Sequence, residues 1–219
     1  MKNDISLKDT IYNLVLDGIF HNEFQPNQII HEKDLVQRYG YSKAPVREGL
    51  IALCNDNVLR SIPRYGYEVV RLTREDVEDM LRIRYLLEGG MLQLTYDSFS
   101  PYQLKKLEKL DDDCTRHRND IWKHWESNTQ FHLALMEPAR NDYAWEILNR
   151  TMGRLKQAYA QFFWDRLERL DLSADTSRHR EIIAALRNKD RVSVVNLLRG
   201  DLMSFGDFKC ELPPYFGEK

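Results

Sequence analysis

The segment Tyr41-Ser42-Lys43-Ala44-Pro45-Val46-Arg47-Glu48-Gly49-Leu50-Ile51-Ala52-Leu53 decides the fold class. Ser42 is placed as an N-cap, where a hydroxyl can accept from an orphan backbone N–H. Pro45 falls in the first turn, where its missing N–H is harmless. Val46, Leu50 and Leu53 recur at the spacing of one buried helical face. That register leaves Lys43, Ala44 and Arg47 on the outer face, near the start of the helix.

Towards the N terminus, Gly40 suits the left-handed residue that closes a helix, so a short helix is predicted from about Glu32 to Tyr39, with Leu35 and Val36 inward. Asn22–Ile30, containing Pro26 and Asn27, reads as a connection. A first helix covers Leu7 to about His21, because Leu7, Ile11, Leu14, Val15 and Gly18 share a face. Towards the C terminus, Val58-Leu59-Arg60-Ser61-Ile62 and Tyr67-Glu68-Val69-Val70 flank the turn Pro63-Arg64-Tyr65-Gly66, which describes a hairpin. Three helices followed by a hairpin are the plan of a winged helix-turn-helix.

Beyond Thr73 every segment reads as helix. Thr73 with Asp76 approximates a capping box, opening a helix to about Asp97. Ser100-Pro101 starts another towards Arg118. Further helices are predicted at about 120–137, 142–169, 175–188 and 191–206, with a tail at Pro213-Pro214. The expected protein is mainly α: a winged helix-turn-helix over 1–72 and an all-helical bundle over 73–219.

Composition agrees with a soluble, helix-rich protein. The chain has 219 residues, 42% hydrophobic and 30% charged, with only 10 Gly and 7 Pro to supply loops. Cys54, Cys114 and Cys210 are widely spaced and odd in number, which fits buried thiols in a reducing cytosol rather than a metal pair or disulfide framework. The polar start MKNDISLKDT lacks a signal-peptide core, and no apolar run approaches the ~18 residues of a membrane span. A cytoplasmic location without membrane contact is expected.

The overall charge of −2 hides a local excess of base. Between Arg38 and Arg71 six basic residues face three acidic ones, Glu48, Asp56 and Glu68. A helix-turn-helix places the first residues of its second helix in the major groove, where Lys43 and Arg47 could meet guanine acceptors or phosphate. Arg64 and Gly66, at the tip of the hairpin, could reach the backbone or the minor groove. The alternative is a helical domain whose basic residues are merely solvated.

The run Ile29-Ile30-His31-Glu32-Lys33-Asp34-Leu35-Val36-Gln37-Arg38-Tyr39-Gly40-Tyr41-Ser42-Lys43-Ala44-Pro45-Val46-Arg47-Glu48-Gly49-Leu50, with the wing Pro63-Arg64-Tyr65-Gly66-Tyr67-Glu68-Val69, resembles the DNA-binding module of the GntR family. The family pattern there is roughly L-x-E-x-x-L-A-x-x-L-G-V-S-R-x-P-V-R-E-A-L. The resemblance implies DNA contacts at Ser42, Lys43, Ala44, Arg47 and Gly66. Lys43 stands where the family usually has Arg, replacing a bidentate fork by a point charge and altering which operator is read. Asn27 stands where a Gly usually follows the proline.

The helical remainder resembles the FCD domain of the FadR-type subfamily at Arg84-Tyr85-Leu86-Leu87-Glu88, Phe131-His132 and His179-Arg180-Glu181-Ile182-Ile183-Ala184-Ala185-Leu186. Many such domains hold a divalent metal through one Asp and three His, and the metal helps to bind a carboxylate effector. Here the corresponding positions are Asn128, His132, His179 and Asp201. Asn128 and His132 share a helix face at i, i+4, and the set could hold Zn²⁺, Mn²⁺ or Ni²⁺ more weakly than the family's Asp-containing site. The other reading is a polar pocket without metal, in which the two imidazoles bind effector directly or satisfy each other through water. Arg84 is either a grip for an anionic effector or one half of an i, i+4 pair with Glu88. Tyr159, Phe162, Phe163 and Trp164 are expected in the core or a dimer contact, and His117 and His124 are expected to face solvent.

The function implied is a ligand-responsive regulator, repressor or activator, that binds a near-palindromic double-stranded DNA operator as a homodimer and answers to a small carboxylate. Two alternatives are a DNA-binding protein whose helical domain has lost metal and effector, and a helical metallohydrolase using His132, His179 and Asp201. Nothing in the sequence stands as a general base or a Gly-rich phosphate loop for the last, so no enzyme is expected.

Overall fold

The computed structural model describes residues 6–165, 176–206 and 208–213. It divides into two compact units, Met1–Thr73 with Lys156–Asp165, and Arg74–Leu155 with Arg166–Lys219. The architecture is mainly α, with one small sheet in the first unit. No helix among the described residues is long and apolar enough to cross a membrane.

The first unit opens with α1 (Leu7–Phe20), capped by the Ser6 side chain accepting from the Asp9 N–H. Helix α2 (Glu32–Tyr39) ends at Gly40, which takes the left-handed φ of 73° expected of it. Helix α3 (Lys43–Asn55) buries Val46, Leu50 and Leu53 against Ile11 and Val15 of α1. Ser42 occupies the N-cap position, but its hydroxyl makes no capping bond. Three strands close the unit: β1 (Ile29–Ile30), β2 (Leu59–Ile62) and β3 (Gly66–Val69), antiparallel in the order β1-β3-β2. The hairpin was expected. The pairing of Ile29 and Ile30 with Glu68 and Tyr67, inside the predicted connection, was not.

The second unit contains α4 (Arg74–Thr95), α5 (Pro101–Arg116), α6 (Ile121–Met136), a 3₁₀ turn at Glu137–Ala139, and then α7 (Asp142–Phe163). Helices α8 (His179–Arg187) and α9 (Arg191–Leu202) follow. Helix α5 starts with a full capping box between Ser100 and Gln103 and Pro101 in its first turn. The helix predicted over 142–169 is seen to Phe163, and residues 166–169 lie outside the described residues, as do residue 175 and Pro214. Helix α9 stops earlier than predicted. Its continuation pairs Ser204–Phe205 (β4) with Phe208–Lys209 (β5), with Gly206 at a positive φ of 54°.

The last turns of α7 belong to the first unit. There the buried Gln157 donates to the carbonyls of Val58 (3.4 Å) and Val70 (3.2 Å). Gln161 accepts from the Leu72 N–H at 2.9 Å and donates to the Val70 carbonyl at 2.9 Å. These amides satisfy backbone groups where the sheet ends and no further strand can do so. Tyr159 and Phe163 are buried beside each other, as expected of core aromatics.

Helix α6 is the centre of the second unit. Trp125, Phe131, Leu133, Ala134, Leu135 and Met136 are all buried, and so are His124, Asn128 and His132. A helix enclosed on nearly every side must bury whatever polar residues it carries, and these then need partners.

Candidate functional site

In the first unit the outer end of α3 faces the wing. Lys43, Arg47, Arg64 and Gly66 border a single cleft of about 590 Å³, with Glu32 and Tyr67 at its side. Ser42 and Ala44 are exposed at the start of α3 but do not line it. Arg47 is held side-on by Glu32, Nε to Oε1 at 2.7 Å and Nη2 to Oε2 at 3.0 Å. The Tyr67 hydroxyl donates to the same carboxylate at 3.1 Å, and the Lys43 ammonium lies 3.9 Å away. The Arg47 hydrogen bond is the main force holding the Glu32 carboxyl below its usual value, against a smaller opposing effect of burial. Side-on engagement leaves the Nη1 side of the guanidinium fork pointing away from Glu32, available for a second planar partner.

Gly66 has a structural reason of its own. Its φ is 142°, and an added β-carbon would stand 2.6 Å from the Ile30 carbonyl oxygen. The close passage of β1 therefore demands glycine at this point of the wing. Glu32, Tyr67, His31, Lys33 and Tyr65 also border the cleft and were not singled out from sequence. Glu32 carried a usable signal, since it stands at the acidic position of the family pattern.

In the second unit α6, α8 and α9 bring His132, His179 and Asp201 together. One ligand atom from each lies within 4.8 Å of the others, and all three residues are buried. His132 Nε2 is 3.4 Å from Asp201 Oδ2. Asn128, one turn before His132, is buried, and its Oδ1 lacks a hydrogen-bond partner among the described residues. Both ring nitrogens of His179 and Asp201 Oδ1 are likewise buried and without a hydrogen-bond partner among the described residues. The Phe131 ring stacks on His179, centroids 3.6 Å apart and planes within 9°, which fixes the tilt of that imidazole.

Two carboxylates stand behind the imidazoles. Glu88 Oε2 is 2.6 Å from His132 Nδ1, and Asp111 Oδ1 is 3.5 Å from His179 Nδ1, an electrostatic contact longer than a hydrogen bond. The Glu88 carboxylate places a proton on His132 Nδ1 and turns Nε2 of that ring towards Asp201. Neither carboxylate's role could be read from sequence, because each pairing joins separate helices.

Arg84 is 6% exposed and donates from Nε to Glu88 Oε1 at 2.8 Å, so the i, i+4 pair exists. Its Nη2 is buried without a hydrogen-bond partner among the described residues, so the pair does not exhaust the guanidinium. The result is a buried chain Arg84–Glu88–His132–Asp201. Burial pushes the Glu88 carboxyl up, but Arg84 and His132 more than reverse it and hold it below the usual range. Burial pushes His132 down, and Glu88 and Asp201 raise it above the ordinary imidazole value. Asp201 is driven up by burial and brought below its usual value by His132, His179 and Arg84.

His117 and His124 differ from expectation. His124 is 2% exposed, with Nδ1 3.0 Å from the Cys114 carbonyl. His117 is partly buried, with Nδ1 3.1 Å from Ser127 Oγ. The packing of α5 on α6 encloses His124 and leaves His117 half-buried.

The donor set suits a divalent ion. Metal–ligand bonds of roughly 2.0–2.2 Å place ligand atoms at most about 4.4 Å apart, so the observed cluster would need to close only slightly. Two imidazoles and a carboxylate match that chemistry, and the Asn128 amide oxygen, one turn before His132, is of the same ligand type.

Comparison with known proteins agrees with both units. The family described as "Bacterial regulatory proteins, gntR family" matches residues 7–69, and the "FCD domain" matches residues 79–202. The chain is 29% identical over 140 residues to the uncharacterized HTH-type transcriptional regulator YdhC of Bacillus subtilis (strain 168), covering 63% of this chain and 62% of that one. It is 23% identical to the regulator McbR of Escherichia coli (strain K12), covering 85% of each chain. It is 24% identical to the repressor GlaR of the same strain, covering 88% of this chain and 91% of GlaR. The structure of E. coli McbR/YncC superposes with a TM-score of 0.76 at 22% identity over 90% of this chain and 94% of that one. A GntR regulator from Rhodococcus sp. RHA1 gives 0.71 at 20% identity over 89% and 93%. The chain belongs to the GntR family of bacterial transcription regulators, with an FCD domain following its winged helix-turn-helix.

Proposed function

We propose that this regulator binds a near-palindromic double-stranded operator as a homodimer in the cytoplasm, and that a small carboxylate held at the His132–His179–Asp201 centre controls that binding. The observation that carries the reading is the buried convergence of those three side chains, with Asn128 Oδ1 on the same helix as His132 and Arg84 Nη2 on α4 also buried and unpartnered among the described residues. A buried cationic donor beside unpaired ligand atoms favours an anion over an apolar guest. Asn128, His132, His179 and Asp201 would hold a Zn²⁺, Mn²⁺ or Ni²⁺ ion, and that ion would supply positive charge for the effector carboxylate. Glu88 and Asp111 keep the imidazoles turned to it, and Arg84 takes the remaining anionic oxygen.

On the DNA side, Lys43 and Arg47 read base edges and Arg64 meets the backbone from the wing. Glu32 pre-orients Arg47, so the fork need not be ordered at the moment of contact. Dimerisation follows from paired half-sites, and exposed Ile83, Leu86 and Leu94 on α4 offer apolar surface for a second copy. The effector acts by binding two arrangements of the dimer with different affinity.

The test is a thermal-shift screen of metal-stripped protein against small carboxylates, with and without Zn²⁺, Mn²⁺ or Ni²⁺. Preferential binding to the native state raises the melting temperature by mass action. A carboxylate shift that requires metal is the expected result. A shift indifferent to metal removes the ion from the proposal, and no shift with any acid favours a helical domain without effector.

A further inference from the structure

The chain beyond α9 alternates. Cys210 and Leu212 are buried, while Lys209, Glu211 and Pro213 are exposed, the period-two pattern of an extended segment with one face on a core. This stretch lies beyond residues 79–202, which match the FCD domain. It is rooted by the β4–β5 pairing and by the Cys210 N–H, which donates to the Met203 carbonyl at 2.8 Å. Phe205, just before it, meets the ring of Trp125 on α6 edge-on.

Its carbonyls are gripped from two helices. Arg74 of α4 donates to the Lys209 carbonyl at 3.5 Å, and the Tyr85 hydroxyl, further along α4, donates to the Pro213 carbonyl at 2.5 Å. Arg199 of α9 donates from Nε to the Leu212 carbonyl at 2.8 Å. Helix α4 rises roughly 16 Å from Arg74 to Tyr85, and an extended chain covers about 13 Å from Lys209 to Pro213. The segment therefore runs along α4 in the same direction, as a strap. Burial pushes the Cys210 thiol up, and the charges that act on it are those of Glu78, Arg82, Arg74 and Asp79, all in that part of α4.

The strap joins the two helices that carry the ends of the buried chain Arg84–Glu88–His132–Asp201. Arg84 and Glu88 stand on α4 with Tyr85, and Asp201 stands on α9 with Arg199. The Glu88–His132 hydrogen bond already ties α4 to α6. The ligand atoms of His132, His179 and Asp201, now within 4.8 Å of one another, must draw in to about 4.4 Å to share an ion, and that closure fixes α9 against α6. Ties from α4 to α6, from α6 to α9 and from α9 to α4 close a triangle. Each tie then costs less ordering when the other two hold.

Building on the metal reading above, we propose that the strap Lys209–Pro213 is a regulatory clasp coupled to the His132–His179–Asp201 centre: an ion there holds the clasp down, and release of the clasp loosens the ion. The coupling is reciprocal, so one factor governs both effects. Anything that lifts the strap lowers metal affinity without touching a ligand.

The experiment is hydrogen exchange of the full-length protein with and without saturating Zn²⁺, read at the Cys210 amide, beside calorimetric titration of Zn²⁺. The α5 amides serve as the reference, since they report opening of the whole bundle. Zn²⁺ is expected to slow exchange at Cys210 about tenfold more than in α5. Tyr85→Phe with Arg199→Met removes two grips on the strap and leaves every proposed ligand in place. This double variant should lose the extra slowing and bind Zn²⁺ more weakly by about the same factor. Equal slowing at Cys210 and in α5 overturns the proposal and leaves the metal reading intact, because a strap that is only structural answers to global stability alone. So does unchanged Zn²⁺ affinity in the double variant. No Zn²⁺ binding at all overturns the metal reading and this proposal with it. Should the double variant not fold, wild-type exchange and Tyr85→Phe alone still decide.

Discussion

Two arginine–glutamate pairs can be set side by side. In the first unit Glu32 grips Arg47 in two hydrogen bonds, with the Arg47 side chain 53% exposed. In the second unit Arg84 and Glu88 form one hydrogen bond at 7% and 0% exposure. The partners are chemically the same, but their surroundings give them different work. Water screens the first pair, so its formation adds little to stability and its arginine stays available to an incoming partner. The second has been taken out of water, and each member depends on its neighbours for compensation. The first pair can be approached from solvent, and the second stays charged inside a core.

The largest expected effect comes from breaking the buried pair. Glu88→Ala leaves Arg84 and His132 uncompensated and should lower unfolding stability by about 3–5 kcal/mol in urea denaturation. A loss below about 1 kcal/mol would place the pair in the screened class and end the contrast. Arg47→Ala should do the reverse. Affinity for a duplex selected by the wild type from a random pool should fall by about 1–3 kcal/mol in fluorescence anisotropy. Unfolding stability should change by less than about 1 kcal/mol.

A third change sharpens the picture of the centre. Asn128→Asp supplies a charged oxygen in place of a neutral one and should tighten Zn²⁺ or Mn²⁺ binding about tenfold by calorimetric titration. Unchanged metal affinity would remove Asn128 from the ligand set. The smallest effect concerns pH. Glu32 is held below its unfolded carboxyl value, first by the Arg47 hydrogen bond, so its contribution is present above that unfolded value and lost as pH falls through the folded one. Because Arg47 is half exposed, Glu32→Gln should flatten the acid limb of the stability curve by less than about 1 kcal/mol. A larger change would mean that the exposed pair is structural after all.

The same contrast explains what could be read from sequence. The helix α3 register, the closing Gly40 and the start of α5 at Ser100-Pro101 are local features, and each was legible because neighbouring residues decide it. Lys43, Arg47, Arg64 and Gly66 share one cleft because the motif carries its own geometry. Strand β1 was missed, since two isoleucines in a connection show no alternation and gain their structure from a partner about forty residues away. The solvent-facing reading of His124 failed because a helix enclosed on almost all sides has no polar face for periodicity to reveal. Asp201 and His179 were found only through resemblance. Glu88, which orients the His132 imidazole, and Asp111, which lies beside His179, had no such guide, because their partners lie on other helices.

The side-on grip of Glu32 on Arg47 has a kinetic consequence. A regulator must test vast stretches of arbitrary sequence before meeting its operator, and its dwell on each wrong site grows with every uncompensated positive charge laid on phosphate. If Arg47 meets DNA as proposed, Glu32, by offsetting one of those charges from within, would let the protein leave wrong sites sooner, while the oriented fork stays ready for the base pair that fits it. A carboxylate beside the recognition helix is in this sense a device for searching quickly.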